Sequence, residues 1–246
     1  MSFGIRVIAG KFGVGKGVTN SIIAINEMRD KNIYNNSITA INELNKSKNR
    51  EYKTPPQNHV VFSNYTINDR NNHSYDFDPE KFMLPNEEFD YEIFPPYSCF
   101  HIEEAQAGSF SAYEWGNFPA PALMAFSRIR HPKIVFTMDM QFIENINKNL
   151  RRFAFEYIIP LELEHKKNCL NKIITTISHC AVFFDYNKAL AFQDSQDKNL
   201  VEEFRDYTFN GNIYNHYNSY SKQEEFYNTD NKKDFIYTIK GAINKC

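Results

Sequence analysis

The residues with the clearest chemical potential lie near the N-terminus. Of the 9 glycines in the 246-residue chain, four fall within Gly10-Lys11-Phe12-Gly13-Val14-Gly15-Lys16-Gly17. The pattern G-x-x-x-x-G-K describes a loop that wraps phosphates. Its backbone N–H groups point inward, in conformations a Cβ would oppose, and its lysine reaches the β- and γ-phosphates. The position after the lysine ordinarily carries the Ser or Thr hydroxyl that holds Mg2+, and here it is Gly17. Residues 10–18, ending at Val18, therefore form a candidate nucleotide cradle that lacks its usual first metal ligand. Thr19 and Ser21 lie further along, and neither is placed to substitute.

A second group is Cys99-Phe100-His101-Ile102-Glu103-Glu104, an apolar run ending in two acids. Read alone, such a pair is a solvated loop start. Behind a phosphate loop it reads as a Walker B element, in which the first acid, Glu103, holds Mg2+ and the second, Glu104, orients or deprotonates the attacking water. Glu103 stands where aspartate is usual and is one methylene longer. A third group, residues 133–141, is an apolar run ending in polar side chains, where Gln141 or Thr137 could sense the γ-phosphate. Basic residues flank it, with Arg128, Arg130 and His131 before and Lys148, Arg151 and Arg152 after. Each is read as solvated surface, as part of a DNA-contacting rim, or as an arginine finger, with Arg130 the candidate finger.

These groups need elements that bring them together. Ile5, Val7, Ile8 and Ala9 predict a buried strand before the loop, and Val18, Ile22, Ile23, Ile25 and Met28 predict a helix after it. Residues 30–56 are polar, with a short helix expected over 37–44. Further strands are expected at 59–65, 98–102 and 133–137. Residues 68–96 read as an excursion at the rim of a sheet, residues 121–126 as a short helix, and residues 142–153 as another. Past residue 152 the texture changes to hairpin-like β runs at 157–159, 172–177 and 181–184. From residue 193 the sequence carries no clear period. The organisation expected is an α/β core over 1–152 and a β-rich extension of the same domain over 153–246, ending in an irregular tail.

Composition bounds the alternatives. With 42% hydrophobic residues and 22 Phe, the chain has ample material for a core, which excludes wholesale disorder. A net charge of -2 argues against a generic polyanion binder. Cys99, Cys169, Cys180 and Cys246 form no C-x-x-C pair, so neither a zinc ribbon nor a disulfide framework is indicated. No window approaches a membrane span and the first residues lack a signal-peptide pattern, so a cytoplasmic location is expected.

In sequence order these motifs resemble the zonula occludens toxin (Zot) family, the assembly ATPases of filamentous phages. The resemblance is carried by IRVIAGKFGVGKG at 5–17, HVVFSNY at 59–65 and FHIEEAQ at 100–106 with Phe110 behind it. It continues in SRIRHPKIVFTMDMQ at 127–141, in 145–151 ending at Arg151, and in NIYNHYNS at 212–219. It implies an α/β P-loop NTPase fold, RecA-like, with a mainly parallel central sheet, and ATP and Mg2+ as ligands. Lys16 carries over as the phosphate lysine, Glu103 as the metal-binding acid, Glu104 as the catalytic carboxylate and Gln141 as the sensor.

The resemblance also implies ATP-driven assembly and extrusion of virions at the inner face of the host membrane. Implied partners are further copies of the chain in a ring, phage assembly or coat proteins, and phage DNA. The family's membrane-spanning helix is missing from this sequence, so membrane contact would come through a partner or a missing segment. Two other readings stay open: a hydrolysis-deficient nucleotide-binding scaffold or switch, motivated by Gly17, and, ranked lower, a P-loop kinase.

Overall fold

The computed structural model describes residues 3–11, 13–47, 50–52, 59–70, 72–77, 94–105, 127–218 and 237–239. Phe12, Gln106, Phe110 and the helix expected over 121–126 lie outside the described residues, as does most of the 68–96 excursion. The chain opens with β1 (Gly4–Ala9), α1 (Lys16–Arg29) and α2 (Lys31–Ser47), followed by β2 (Arg50–Tyr52), β3 (Val61–Ser63), β4 (Thr66–Asp69), β5 (Asn72–His73) and β6 (Tyr75–Asp76). Then come β7 (Cys99–Ile102), β8 (Val135–Met140), β9 (Ala154–Lys167), β10 (Ile173–Phe183), α3 (Tyr186–Ser195), β11 (Glu203–Phe209), β12 (Tyr217–Asn218) and β13 (Tyr237–Ile239).

Among the described residues eight strands form the central sheet, in the order β11-β10-β9-β1-β8-β7-β3-β6. The pairs from β9 through β6 are parallel, and β10 and β11 add an antiparallel edge. The fold is thus α/β with a mainly parallel sheet. β9 lies directly beside β1, pairing Arg6 with Glu156 and Val7 with Tyr157. The segment beyond residue 152 therefore supplies the strand next to the loop strand.

Alternation along the strands sends residues to two different faces. Ile5, Val7, Phe62, Phe100, Phe136 and Met138 enter one core cluster, which α3 helps to cover through Ala189 and Phe192. Phe100 is its hub, stacked on Phe136 at 4.5 Å and on Phe62 at 5.0 Å between ring centroids, with Phe94 and Phe77 edge-on at 4.8 and 4.7 Å. The opposite face packs against α1 through Val18, Ile22 and Ile25, with Val61 and Cys99 from the sheet.

Several elements differ from the sequence expectation for identifiable reasons. The helix expected over 37–44 spans Lys31–Ser47, burying only the stripe Ile33, Ser37 and Ile41. So narrow a stripe in an Asn-rich segment gives little periodic signal. The helix expected over 142–153 is instead two 3-10 turns, Ile143–Asn145 and Leu150–Phe153. Side chains there take the backbone groups a helix would use. Asn147 Oδ1 accepts from the Asn149 N–H at 2.9 Å, Gln193 Oε1 from the Ile143 N–H at 3.0 Å, and Arg151 donates to the Glu144 and Ile146 carbonyls. The aperiodic tail contains the seven-residue edge strand β11, preceded by α3, whose N-terminus Asp185 caps by accepting from the Lys188 N–H.

Replacing Phe100 by alanine removes the central ring of the stack. The variant is expected to lose about 3–5 kcal/mol of stability, read as a lowered midpoint in urea unfolding.

Candidate nucleotide-binding site

The loop between β1 and α1 is built as the glycine pattern requires. Gly13 and Gly15 have φ of +85° and +88°, the left-handed region that an L side chain resists. A Cβ at Gly15 would in addition run into the Leu163 side chain. Gly15 is the N-cap of α1, so the open N–H groups of the first helical turn face the loop. Lys16 folds back over the loop and donates from Nζ to the Lys11 carbonyl at 3.2 Å. Burial lowers its pKa from the ordinary lysine value, opposed by the nearby carboxylates of Asp139, Glu104 and Glu103. Val14 closes the loop from within, since a Cβ on Gly10 would lie 2.8 Å from its Cγ2.

The loop opens on a cleft of about 300 Å³, lined on its charged side by Lys16, Gly17, Glu103, Glu104, Asp139 and Gln141. A Cβ placed on Gly17 would collide with Glu103 Oε1. The carboxylate of Glu103 thus occupies the corner that a serine or threonine side chain at position 17 would fill, and the missing hydroxyl and the longer acid become two sides of one arrangement. Among the described residues no group of three or more His, Cys, Asp or Glu is arranged to hold a metal by itself. A carboxylate with phosphate oxygens and water is the usual environment of Mg2+, so Glu103 fits that ion in the presence of a nucleotide.

β1, carrying the loop, and β7, ending in the acid pair, are parallel strands separated only by β8, and their C-terminal ends meet at this cleft. The fold is that of a P-loop NTPase.

Beneath α1 the sheet is crossed by a chain of buried polar groups. Arg6 of β1 donates to Glu27 of α1 at 3.0 Å, to Thr137 Oγ1 of β8 at 3.1 Å and to Glu156 of β9. Glu27 Oε2 lies 2.7 Å from His101 Nε2, and His101 Nδ1 lies 2.7 Å from Asn20 Oδ1. Asn20 Nδ2 donates to the Ile102 carbonyl and to Asp139 Oδ2, which fixes its amide orientation and leaves both ring nitrogens of His101 facing acceptors. Asp139 Oδ1 accepts from the Glu104 N–H at 2.8 Å. Glu104 has φ +52°, a conformation that non-glycine residues adopt rarely, and this hydrogen bond holds it there. Burial pushes the Asp139 carboxyl up to about 7 despite the Glu104 N–H, Asn20 and Lys16 around it.

The structure brings most of the expected residues into one place. Gly10, Lys11, Gly13, Val14, Gly15, Lys16, Gly17 and Val18 build the loop and first turn, and Glu103, Glu104 and Gln141 face it. Thr137 is buried and committed to Arg6, away from the cleft. Arg130 is exposed beside Gly4, its carbonyl accepting from the Lys133 N–H, at the end of the sheet opposite the loop. Arg151 is engaged with backbone carbonyls and the Tyr186 ring. Sequence reading did not single out Asp139, Leu163, Tyr214 or Tyr217, all of which line the cleft. Asp139 was within reach: it lies two residues beyond Thr137, so a strand carried to Met140 places both on the α1 face.

No family model and no curated protein matches the chain. Among solved structures it is similar to the N-terminal domain of zonular occludens toxin from Neisseria meningitidis, at 16% identity and a TM-score of 0.47, covering 89% of this chain and 100% of that one. It is also similar to the genome packaging NTPase B204 from Sulfolobus turreted icosahedral virus 2. The complex with sulfate gives 10% identity, a TM-score of 0.40 and coverage of 84% and 96%. The complex with ATP-gammaS gives 11%, 0.38, 83% and 96%. Among the described residues no helix is long and apolar enough to cross a membrane.

The buried chain makes a specific pH prediction. Burial alone would raise the Glu27 carboxyl, but His101 and Arg6 overcome it and bring it from 4.5 down to about 2. A depressed carboxylate contributes stability above its unfolded pKa and loses that contribution as pH falls through the folded value. Glu27→Gln should therefore cost about 3–5 kcal/mol at pH 7, the cost of breaking a buried pair. The gap to the parent protein should narrow between about pH 4.5 and 2, as read from urea midpoints across that range.

Proposed function

We propose that this protein binds ATP with Mg2+ and hydrolyses it, as a motor ATPase for the assembly and extrusion of filamentous virions. The observation that carries the catalytic part is the convergence of Lys16, Glu103 and Glu104 on a single cleft at the loop. The motor part rests on the ordered sequence motifs that resemble the Zot family.

In this reading the inward N–H groups of the loop and the first turn of α1 hold the phosphates, and Lys16 adds a positive charge that follows the β- and γ-phosphates. Glu103 would hold the divalent cation, which when bound neutralises phosphate charge. Glu104 takes the proton of the attacking water, its backbone held in place by Asp139. Gln141, at the end of β8 on the cleft wall, is positioned to report on the terminal phosphate. The load, whether coat protein or phage DNA, engages surfaces outside this cleft. Arg130 faces away from its own cleft, so any finger role would be toward a neighbouring copy in a ring. Attachment at the inner face of the membrane belongs to the same proposal and would come through a partner or through a segment outside this sequence.

One observation favours a second reading. The carboxylate of Glu103 is pressed into the corner beside Gly17, which suits a site that binds nucleotide as a switch and turns it over slowly.

Steady-state turnover distinguishes the two. A motor predicts Mg2+-dependent ATP hydrolysis that EDTA abolishes. Lys16→Ala should lose both ATP binding and turnover, whereas Glu104→Gln should keep binding and lose about 100-fold or more in kcat. Tight binding without turnover in the parent protein would select the switch. Turnover unchanged in both variants would remove this cleft from the chemistry.

A further inference from the structure

The cleft has a second wall that the phosphate chemistry does not use. Besides the charged residues it is lined by Leu163 of β9 and by Tyr214 and Tyr217. The two tyrosines belong to a strap, residues 209–218, that leaves the edge strand β11, crosses α1 and joins β4.

The strap is anchored along its length. Phe209 is buried under the guanidinium of Arg29, 5.1 Å from its ring, and Ile213 is buried in the cluster that includes Val18 and Ile22. Asn212 Oδ1 accepts from the Tyr214 N–H at 3.2 Å, and His216 bonds to Asn68 through both its ring and its carbonyl. Tyr217 pairs with Ile67 and meets the Tyr65 ring edge-on at 6.5 Å. Tyr214 is 47% exposed, yet its ring packs against His165 at 5.7 Å and its hydroxyl lies 3.4 Å from His165 Nε2. Among the described residues His165 Nδ1 is buried without a hydrogen-bond partner, while the ring braces this tyrosine.

An aromatic pair with ring centroids 6.2 Å apart on the wall of a phosphate cleft, beside an aliphatic side chain, has the chemistry of a nucleobase platform: flat, apolar and suited to the face of a ring. We propose that Tyr214, Tyr217 and Leu163 form the subsite for the base of the bound nucleotide, so that the strap, rather than the loop, recognises the nucleoside. This inference rests on the proposed nucleotide binding and deepens it: the ligand is a nucleoside triphosphate held at one end by the loop and at the other by stacking. The same Leu163 that would meet a Cβ on Gly15 sets the height of this wall over the loop.

Isothermal titration of the full chain with Mg2+ and either ATP or inorganic tripolyphosphate separates the two ends of the ligand. The expected result is that Tyr214→Ala weakens ATP about tenfold and leaves tripolyphosphate unchanged, that Tyr214→Phe retains ATP affinity, and that Lys16→Ala weakens both ligands. Leu163→Ala, whose side chain lies on a paired strand and not on the strap, should repeat the ATP-selective loss. If the parent protein binds ATP and tripolyphosphate but neither Tyr214→Ala nor Leu163→Ala changes ATP affinity, the base subsite is wrong and nucleotide binding stands. If the parent protein binds neither ligand, both fall together.

Discussion

The structure turns on the charged side chains buried between α1 and the sheet. Taking Arg6, Glu27 and Glu156 out of water costs several kcal/mol per ion unless each finds partners in one geometry. They find them only when α1 sits at one height and rotation above β1, β7, β8 and β9. An apolar interface would tolerate sliding; this one does not, because a shift of one turn leaves unpaired charges in the core. Helix α1 begins at the glycine loop, so the same constraint fixes where the loop and Lys16 stand relative to the acids.

That constraint reaches the chemistry through Asn20. The amide is oriented by two donations, one to the Ile102 carbonyl and one to Asp139, and its oxygen is committed to His101. Asp139 in turn holds the peptide of Glu104 in a left-handed turn. The acid pair is therefore positioned by the body of the protein rather than by a loose loop end. Glu103, one methylene longer than the usual aspartate, reaches into the corner that Gly17 leaves open. Two departures that look like separate losses in sequence are complementary in space, and a serine at position 17 would require only the mobile end of Glu103 to move.

Much of this was legible in the residues. β1, the glycine loop, α1 and the acid-ended β7 follow from local pattern, because apolar periodicity and glycine spacing are local properties. What stayed hidden depends on distance. Nothing near Glu156, or near Arg205 of β11, which donates to Glu156 at 2.8 Å, says that they belong to one network with Arg6 from the other end of the chain. The aromatic residues of 209–218 carry no period, since the strap gains its stability by lying across α1 and not by repeating along itself. The turns over 142–153 depart from a helix for a related reason: their apolar spacing is helical, but Asn147 and Gln193 satisfy the backbone groups differently. Thr137 and Asp139 look alike as polar residues in an apolar run, and only the neighbours of each, Arg6 for one and Glu104 for the other, separate a structural role from a place at the cleft.

The central claim is that the loop holds a metal–nucleotide complex in which the carboxylate of Glu103 stands in for the absent hydroxyl. A crystal structure grown with a non-hydrolysable ATP analogue and Mn2+, with the anomalous signal of the manganese recorded, tests it directly. The account predicts the triphosphate within residues 10–17, Lys16 Nζ against its terminal phosphates and an anomalous peak beside the Glu103 carboxylate. A nucleotide bound outside the loop, or a metal peak with Glu103 turned away from it, would contradict the account.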